Sequence, residues 1–488
     1  MIDIACIARP PTETTPMLDP ASLPPLATRP ARLDWYEQAR FGLSAHWGLY
    51  SIPGEGEWLR AVKRLTVEQY QPYFDAFNPQ PGCCRAWAKL AKQSGARYMV
   101  LTAKHHDGFC LWDSKLTNYT SVHTPARRDL VREFIGALSD EGIRVGLYYS
   151  LVDWHHPDYG PVFGDRQHPL RHDPAQKSLD ATRDWSRYVR YLHGQLAELL
   201  THYGQIDLLY FDFSYWQFTG EHWGATELMK LVRRLQPNIV TNDRLGFEPL
   251  KQPTPPSFAG DFDHAEQNIP RSFVLNAHGE RIPFEAWFTV TNSWCHNPTD
   301  HDHKTSATIV RALVNAVSKG GNLCLNIGPD AAGRVSATSA TILGEIGAWL
   351  AVNGESIHSC GPAPLAKPEW GRYTLSSDLH RLYAHILDPV VGHLCLPDLR
   401  GVVSNPRVLA TGAPAILGDY WNPGVQTFDG PTDIFLNTAA PLQCTFPLPD
   451  PIDTVVGLDV LQSPADRAAF LKLLNAARDN SLERKPFE

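Results

Sequence analysis

The chain has 488 residues, 43 % of them hydrophobic, with a net charge of -8 and a pI near 6.2. An acidic balance of this kind argues against a polyanion-binding surface, so nucleic acid is not an expected partner. No apolar run is long enough to cross a bilayer, and no membrane partner is expected.

The length asks for more than one core, a large barrel plus a smaller domain. Residues 1–32 are rich in Pro and Thr without periodicity and read as an irregular arm. The N-terminus MIDIACIARPP lacks the basic and continuous apolar regions of a signal peptide, which points to a cytoplasmic location. Nine cysteines without paired CxxC spacing imply neither a full disulfide set nor a zinc site.

From residue 33 to 356 short apolar runs alternate with amphipathic segments. The strand candidates are residues 41–48, 98–106, 144–151, 206–213, 238–243, 286–291 and 322–328. Between them CRAWAKLAKQSGA, LVREFIGALSDEG, DWSRYVRYLHGQLAELL and ATELMKLVRRLQ repeat apolar residues at three and four, which places one stripe of each helix against a sheet. Gly95, Gly142 and Pro237 close three of these helices. The alternation predicts an α/β fold, a TIM-like (β/α) barrel. After the helix SATILGEIGAWLAVNG the pattern changes. Residues 357–462 carry short β-prone runs broken by Gly, Pro and Asp, the mark of a β-sandwich. Residues 463–488 open on a Ser cap and read as a helical tail.

Chemistry gathers where the barrel strands end, and in such a barrel that end is the active face. His46 and Trp47 end the first strand, with Glu57 and Trp58 in the loop beyond. Lys104, His105, His106 and Asp107 end the second. Tyr148, Tyr149 and Trp154 lie at or beyond the third, Asp212 ends the fourth, and Asn242, Asp243 and Arg244 end the fifth. A lone histidine in such a place is more often a satisfied core residue. Three together at strand ends favour a site.

The strings FGLSAHWGLYSIPGEGEW, VLTAKHHDGFCLWDS, GLYYSL, YFDF, NDRLG, GDFDHAEQNIP, NSW and SKGGNLCLNIGPDAAGRV resemble, in order, those of glycoside hydrolase family 29, the α-L-fucosidases. The resemblance covers roughly residues 41–335. It implies a retaining exo-α-L-fucosidase without a cofactor or metal, acting on terminal fucose of oligosaccharides or glycoconjugates. A retaining route needs one ionised carboxylate to attack the anomeric carbon and a second, protonated one to serve the leaving oxygen, roughly 5–5.5 Å apart. Asp212 matches the family nucleophile. The family string GDFxTPE reads GDFDHAE here, which makes Glu266 the acid/base, placed in a variable loop. Its pKa is expected to be raised by burial near Asp212. Competing carboxylates are Glu57, Asp261, Asp263 and Glu285. The resemblance carries His46, Glu57, Trp58, His105, His106, Tyr148 and Arg244 onto the sugar, with Trp294 as a wall for its methyl face.

Departures from the family pattern are Tyr210 for Trp, His264-Ala265 for Thr-Pro, and Cys295-His296 for Gly-Tyr. They leave open an α-L-galactoside substrate, and a catalytically silent sugar-binding protein is the other alternative. The stretch HNPTDHDHK has neither helical HExxH nor EF-hand spacing and reads as a solvated loop rather than a metal site. The glycines of GGNLCLNIGP are expected to permit close backbone packing.

Overall fold

The computed structural model describes residues 18, 23–389, 394–418, 432–438, 448–466 and 468–469. They fall into two compact units, Pro24–Gly354 and the described residues from Glu355 onward with Leu18 and Leu23.

The first unit is a ring of eight parallel strands. These are β1 (Phe41–Ala45), β2 (Tyr98–Lys104), β3 (Arg144–Ser150), β4 (Leu208–Asp212), β5 (Val240–Thr241), β6 (Asp263–Glu266), β7 (Phe284–Thr289) and β8 (Asn322–Ile327). They pair in chain order, and β8 returns to β1. Closure falls between β5 and β6, through one parallel bridge from Asn242 to Phe262 and the Asp261 N–H donated to Thr241 O at 2.7 Å. Gly260 allows this seam, since a Cβ there would lie 2.2 Å from the Asn242 carbonyl oxygen.

Two sequence expectations change here. The segment around Glu266 is a strand, not a loop: β6 pairs with β7 over four residues, with Glu266 opposite Trp287. It carries no apolar run because its residues are only partly buried, so hydrophobic patterning has nothing to register. The fifth strand is two residues long rather than six, because the chain leaves the ladder as soon as Asn242 meets the seam.

Helices cover the outside where the apolar stripes predict them. Cys83–Gln93 buries Cys83, Cys84, Trp87, Ala88 and Ala91. Leu130–Glu141 starts under an Asp129 cap and stops at Gly142, whose φ of 68° ends the helix in the left-handed region. Trp185–His202, Ala225–Leu235, Ser306–Val317 and Ala337–Asn353 follow. Between β5 and β6, and between β6 and β7, the only helical piece is the 3-10 turn Pro249–Lys251.

Inside the ring, alternate strand residues meet. Tyr98, Val100, Tyr148, Leu208, Tyr210, Val240, Phe262, Trp287 and Cys324 form one cluster with Leu33, Tyr36 and Ala39, from the segment that precedes β1. That segment packs into the N-terminal end of the ring. Buried among these rings, Glu285 accepts from Tyr98 Oη and Trp287 Nε1. Burial pushes its carboxyl up to about 7.

The second unit holds two antiparallel sheets. Five strands, β9 (Cys360–Pro362), β10 (Gly371–Ser376), β11 (Arg381–Ile386), β13 (Val403–Val408) and β16 (Thr454–Val460), form one. The other contains β12 (Leu394–Leu396), β14 (Ile416–Gly418) and β15 (Ile434–Asn437). Leu382, Ile386, Leu394, Leu396, Leu436, Val456 and Leu458 pack between them as a sandwich core. Ser463 Oγ accepts from Asp466 N at 3.1 Å. Most of the tail lies outside the described residues.

Candidate active site

Strand ends and the loops behind them converge on one pocket at the open end of the ring. It encloses about 490 Å³, solvent at its mouth included. All ten residues expected from sequence line it: His46, Glu57, Trp58, His105, His106, Tyr148, Asp212, Arg244, Glu266 and Trp294. Tyr210, Phe213, His264 and Trp287 complete the wall.

Asp212 is the last residue of β4 and its side chain is 11 % exposed. Tyr148 Oη donates to Oδ2 at 2.6 Å, and the neighbouring register pair Ser150–Asp212 fixes the strand behind it. Arg244 Nη1 lies 2.9 Å from Oδ1, an ion pair without hydrogen-bond direction, so Oδ1 receives no directed hydrogen bond. That oxygen keeps a lone pair for attack.

The same Arg244 Nη1 lies 3.5 Å from Glu266 Oε2. The two distances meeting at one nitrogen cap the gap between those carboxylate oxygens at their combined length. That ceiling is compatible with the spacing of a retaining pair. Burial works against the charge on Arg244, but Asp212, Tyr210 and Glu266 outweigh it and hold the guanidinium above its ordinary value.

The expected rise in the Glu266 pKa is not what the geometry gives. Its side chain is 46 % exposed, and the contact with His264, Nε2 to Oε2 at 3.8 Å, holds the carboxyl down at about 2. Burial pulls the other way, and Arg244 adds to the lowering. At neutral pH Glu266 is therefore ionised.

The imidazoles are neutral. Burial pushes His46 and His264 down to about 4 and His106 to about 3, and lowers His105 well below its usual value. Hydrogen bonding assigns their tautomers. His46 Nδ1 faces Asn326 Oδ1 at 2.7 Å, and Asn326 Nδ2 donates to Trp294 O, so Nδ1 carries the proton. His106 Nδ1 meets Ser150 Oγ at 2.7 Å while that hydroxyl donates to Val152 O, so Nδ1 is again the donor. Each thus turns an unprotonated Nε2 away from its anchor, an acceptor for a sugar hydroxyl. His105 Nδ1 has no protein partner.

Aromatic rings shape the rest. Tyr148 stacks on Tyr210 at 5.8 Å, Tyr210 meets Trp287 at 4.5 Å, and Trp294 tilts over His46 at 5.1 Å. Together they close the floor. Trp58 packs edge-on to His106 at 4.9 Å. Gly328 lets the loop bearing Trp294 come close, since a Cβ there would sit 2.5 Å from the Cys295 carbonyl carbon. Burial raises Glu57, while the backbone and thiol of Cys295 hydrogen-bond to it and oppose that rise.

Other strand-end residues are structural. Lys104 pairs with Asp153 at 3.2 Å in full burial. Asn242 bonds both backbone groups of Phe211 at 2.8 Å, and Asp243 clasps the N–H groups of Leu250 and Gly260. Among the competing carboxylates, Asp261 binds Arg32 and Arg233, Asp263 binds Lys251, and Glu285 lies within the ring. In HNPTDHDHK, Asp300 accepts from Asn292 N and Ser293 Oγ, tying its own loop.

Comparison with known proteins places this arrangement. The family model for alpha-L-fucosidase matches residues 22–355. Rat tissue alpha-L-fucosidase is 31 % identical over 368 residues, 70 % of this chain and 72 % of that protein. The structure of alpha-L-fucosidase isoenzyme 1 from Paenibacillus thiaminolyticus superposes with a TM-score of 0.83 at 48 % identity, covering 88 % of this chain and 99 % of that one. A trapped covalent intermediate of an alpha-L-fucosidase from Bacteroides thetaiotaomicron, in complex with 2-fluoro-fucosyl fluoride, superposes with a TM-score of 0.75 at 26 % identity, covering 89 % and 97 %. The chain therefore belongs to the alpha-L-fucosidase family, glycoside hydrolase family 29, whose members are retaining glycosidases.

Proposed function

We propose that this chain removes terminal α-L-fucosyl residues from oligosaccharides or glycoconjugates, with Asp212 as nucleophile and Glu266 as acid/base. The observation that carries the assignment is one guanidinium in contact with both carboxylates at the open end of the ring. Tyr210 and Trp287 close the pocket from below, which favours entry of a chain end and so an exo mode.

In the first step Asp212 Oδ1 attacks the anomeric carbon, the bond to the leaving oxygen breaks, and Glu266 gives that oxygen a proton. In the second, Glu266 takes a proton from water as the water displaces Asp212 and restores the configuration. The first step needs a protonated Glu266, and the contacts with His264 and Arg244 favour its ionised form. Sugar binding supplies the change, because a ring seated over the half-exposed carboxyl removes its water and favours the neutral form. The neutral imidazoles of His46, His105 and His106 orient the hydroxyls, and Trp294 packs the apolar face.

Replacing Asp212 with Gly tests the assignment. Hydrolysis of an aryl α-L-fucoside should fall by at least about a thousandfold, with partial recovery in azide, which fills the vacated space as an external nucleophile. Normal hydrolysis by the variant sinks the assignment. Glu266→Ala should spare substrates with good leaving groups in the first step and damage those with poor ones. Equal loss on both speaks against the acid role.

We also propose an intracellular location, supported by Cys83, Cys84, Cys110, Cys295 and Cys324, five buried thiols.

A further inference from the structure

Trp216 stands four residues beyond Asp212, at the tip of a tight turn that the proposed chemistry does not use. The turn is closed by two hydrogen bonds between Tyr215 and Phe218, each 2.9 Å, in an isolated antiparallel bridge. Both flanking residues are locked. Tyr215 Oη donates to the Asp165 carboxylate at 2.8 Å, and Phe218 is fully buried against Tyr159 and Trp185. Between these anchors Trp216 is 48 % exposed and holds a φ of +55°. That left-handed conformation suits Gly, Asn or Asp at a hairpin tip, and it is an outlier for a bulky aromatic. A large indole presented to solvent in strained backbone has no packing explanation. Arg166 lies 4.0 Å over the ring centroid and steadies one face, while the residue as a whole stays exposed.

Position gives the ring a use. Phe213 lines the pocket, and its ring packs on Tyr215 at 5.2 Å, so the turn continues the pocket wall outward. Four residues of chain place Trp216 within about 14 Å of Asp212. A sugar joined through the scissile oxygen falls inside that radius once the fucosyl ring is seated.

We propose that Trp216 is an aglycone platform, on whose other face the neutral pyranose next to the fucose lays its C–H face, while Arg166 fixes the indole from behind. The inference rests on the reading of the pocket as the fucosyl site. A flat apolar ring with a polar edge suits that ligand, and the strain is tolerated because the ring is needed outside the core.

The test compares α-L-fucosyl fluoride, which has no sugar aglycone, with fucosyl disaccharides linked at the 2-, 3-, 4- and 6-positions. Trp216→Asn keeps a residue that accepts the left-handed turn, so its fold should survive, and a thermal melt checks this. Its kcat/KM should stay unchanged on the fluoride and fall about three- to tenfold on the best disaccharide, the scale of one aromatic face contact. Trp216→Tyr should keep most of the disaccharide activity. An equal fall on fluoride and disaccharides overturns the inference, as does no fall on any disaccharide. So does a wild type that cleaves the fluoride and none of the disaccharides. A wild type inert on the fluoride instead overturns the pocket reading, and the platform with it.

Discussion

Arg244 contacts Asp212 at 2.9 Å and Glu266 at 3.5 Å, and its charge is shared between groups whose own charges alternate in the proposed cycle. While Asp212 is a free carboxylate it is the nearer partner. In that proposal Asp212 becomes a neutral ester, and the guanidinium then serves Glu266 alone, favouring the ionised form that would act as base. His264 biases the same group from the other side. It lies two residues before Glu266 on β6 and therefore on the same face, and its imidazole is the largest cause of the low Glu266 pKa. Replacing His264 with Ala removes that contact, so the Glu266 pKa should rise. The basic limb of the pH–rate profile on a poor leaving group should move to higher pH. A limb that stays in place would remove His264 from the account. All ten site residues were legible in the sequence because each belongs to a string with a recognisable neighbourhood. Phe213 and Trp287 were not singled out, since a large ring within an apolar strand reads as core. The alternation that puts Trp287 on the same face as Glu285 was the available signal. The lowered pKa of Glu266 was beyond sequence, because it depends first on how closely the His264 ring approaches and then on an arginine brought in from the end of β5.

At the scale of elements, β1 to β4 were readable because each is an apolar run, and a buried strand needs such a run. The seam was only half readable. β5 falls within the run expected at 238–243, but β6 supplies few apolar residues and no α-helix follows either strand, so the signal for β6 and the alternation that would frame it are missing. What holds the seam is backbone contact, and Gly260 is where it is tightest. Gly260→Ala pushes a methyl into the Asn242 carbonyl, an overpacking cost of about 1–3 kcal/mol. The variant should melt earlier and lose activity as well, because the seam joins the strand leading to Arg244 to the one bearing Glu266. Gly136 is the contrast. It lies inside the helix Leu130–Glu141 with no atom within 4 Å of an added Cβ. Gly136→Ala should stabilise by about 0.5–1 kcal/mol with unchanged turnover. If the two variants melt alike, the seam is not the constraint proposed.

Over the whole molecule, the buried titratable groups set where in pH the fold is most stable. Burial lowers His46, His155 and His264 to about 4, His106 and His168 to about 3, and His105 further than its usual range. The unfolded chain titrates these near 6.5. Between those values it binds more protons than the folded one, so each histidine withdraws stability as pH falls below about 6.5. Six carboxyls act in the opposite sense. Burial raises Asp107 to about 6 and Asp243 and Glu285 to about 7, and it also raises Glu57, Asp165 and Asp263, so their contribution is fully present below the usual carboxylate range and is lost as pH rises through their folded values. Burial lowers His156 and His222 as well, so eight histidines outnumber six carboxyls in the shared window. The melting temperature of the full chain should therefore rise from about pH 4.5 to about 6.5 and level off near 7. Glu285→Gln should leave the acid side in place and remove part of the loss between pH 5 and 7, because the variant has no charge to bury. A wild-type maximum below about pH 5 would mean that the ring buries its histidines charged. The neutral tautomers assigned to His46 and His106, and the sugar contacts built on them, would then be wrong as well.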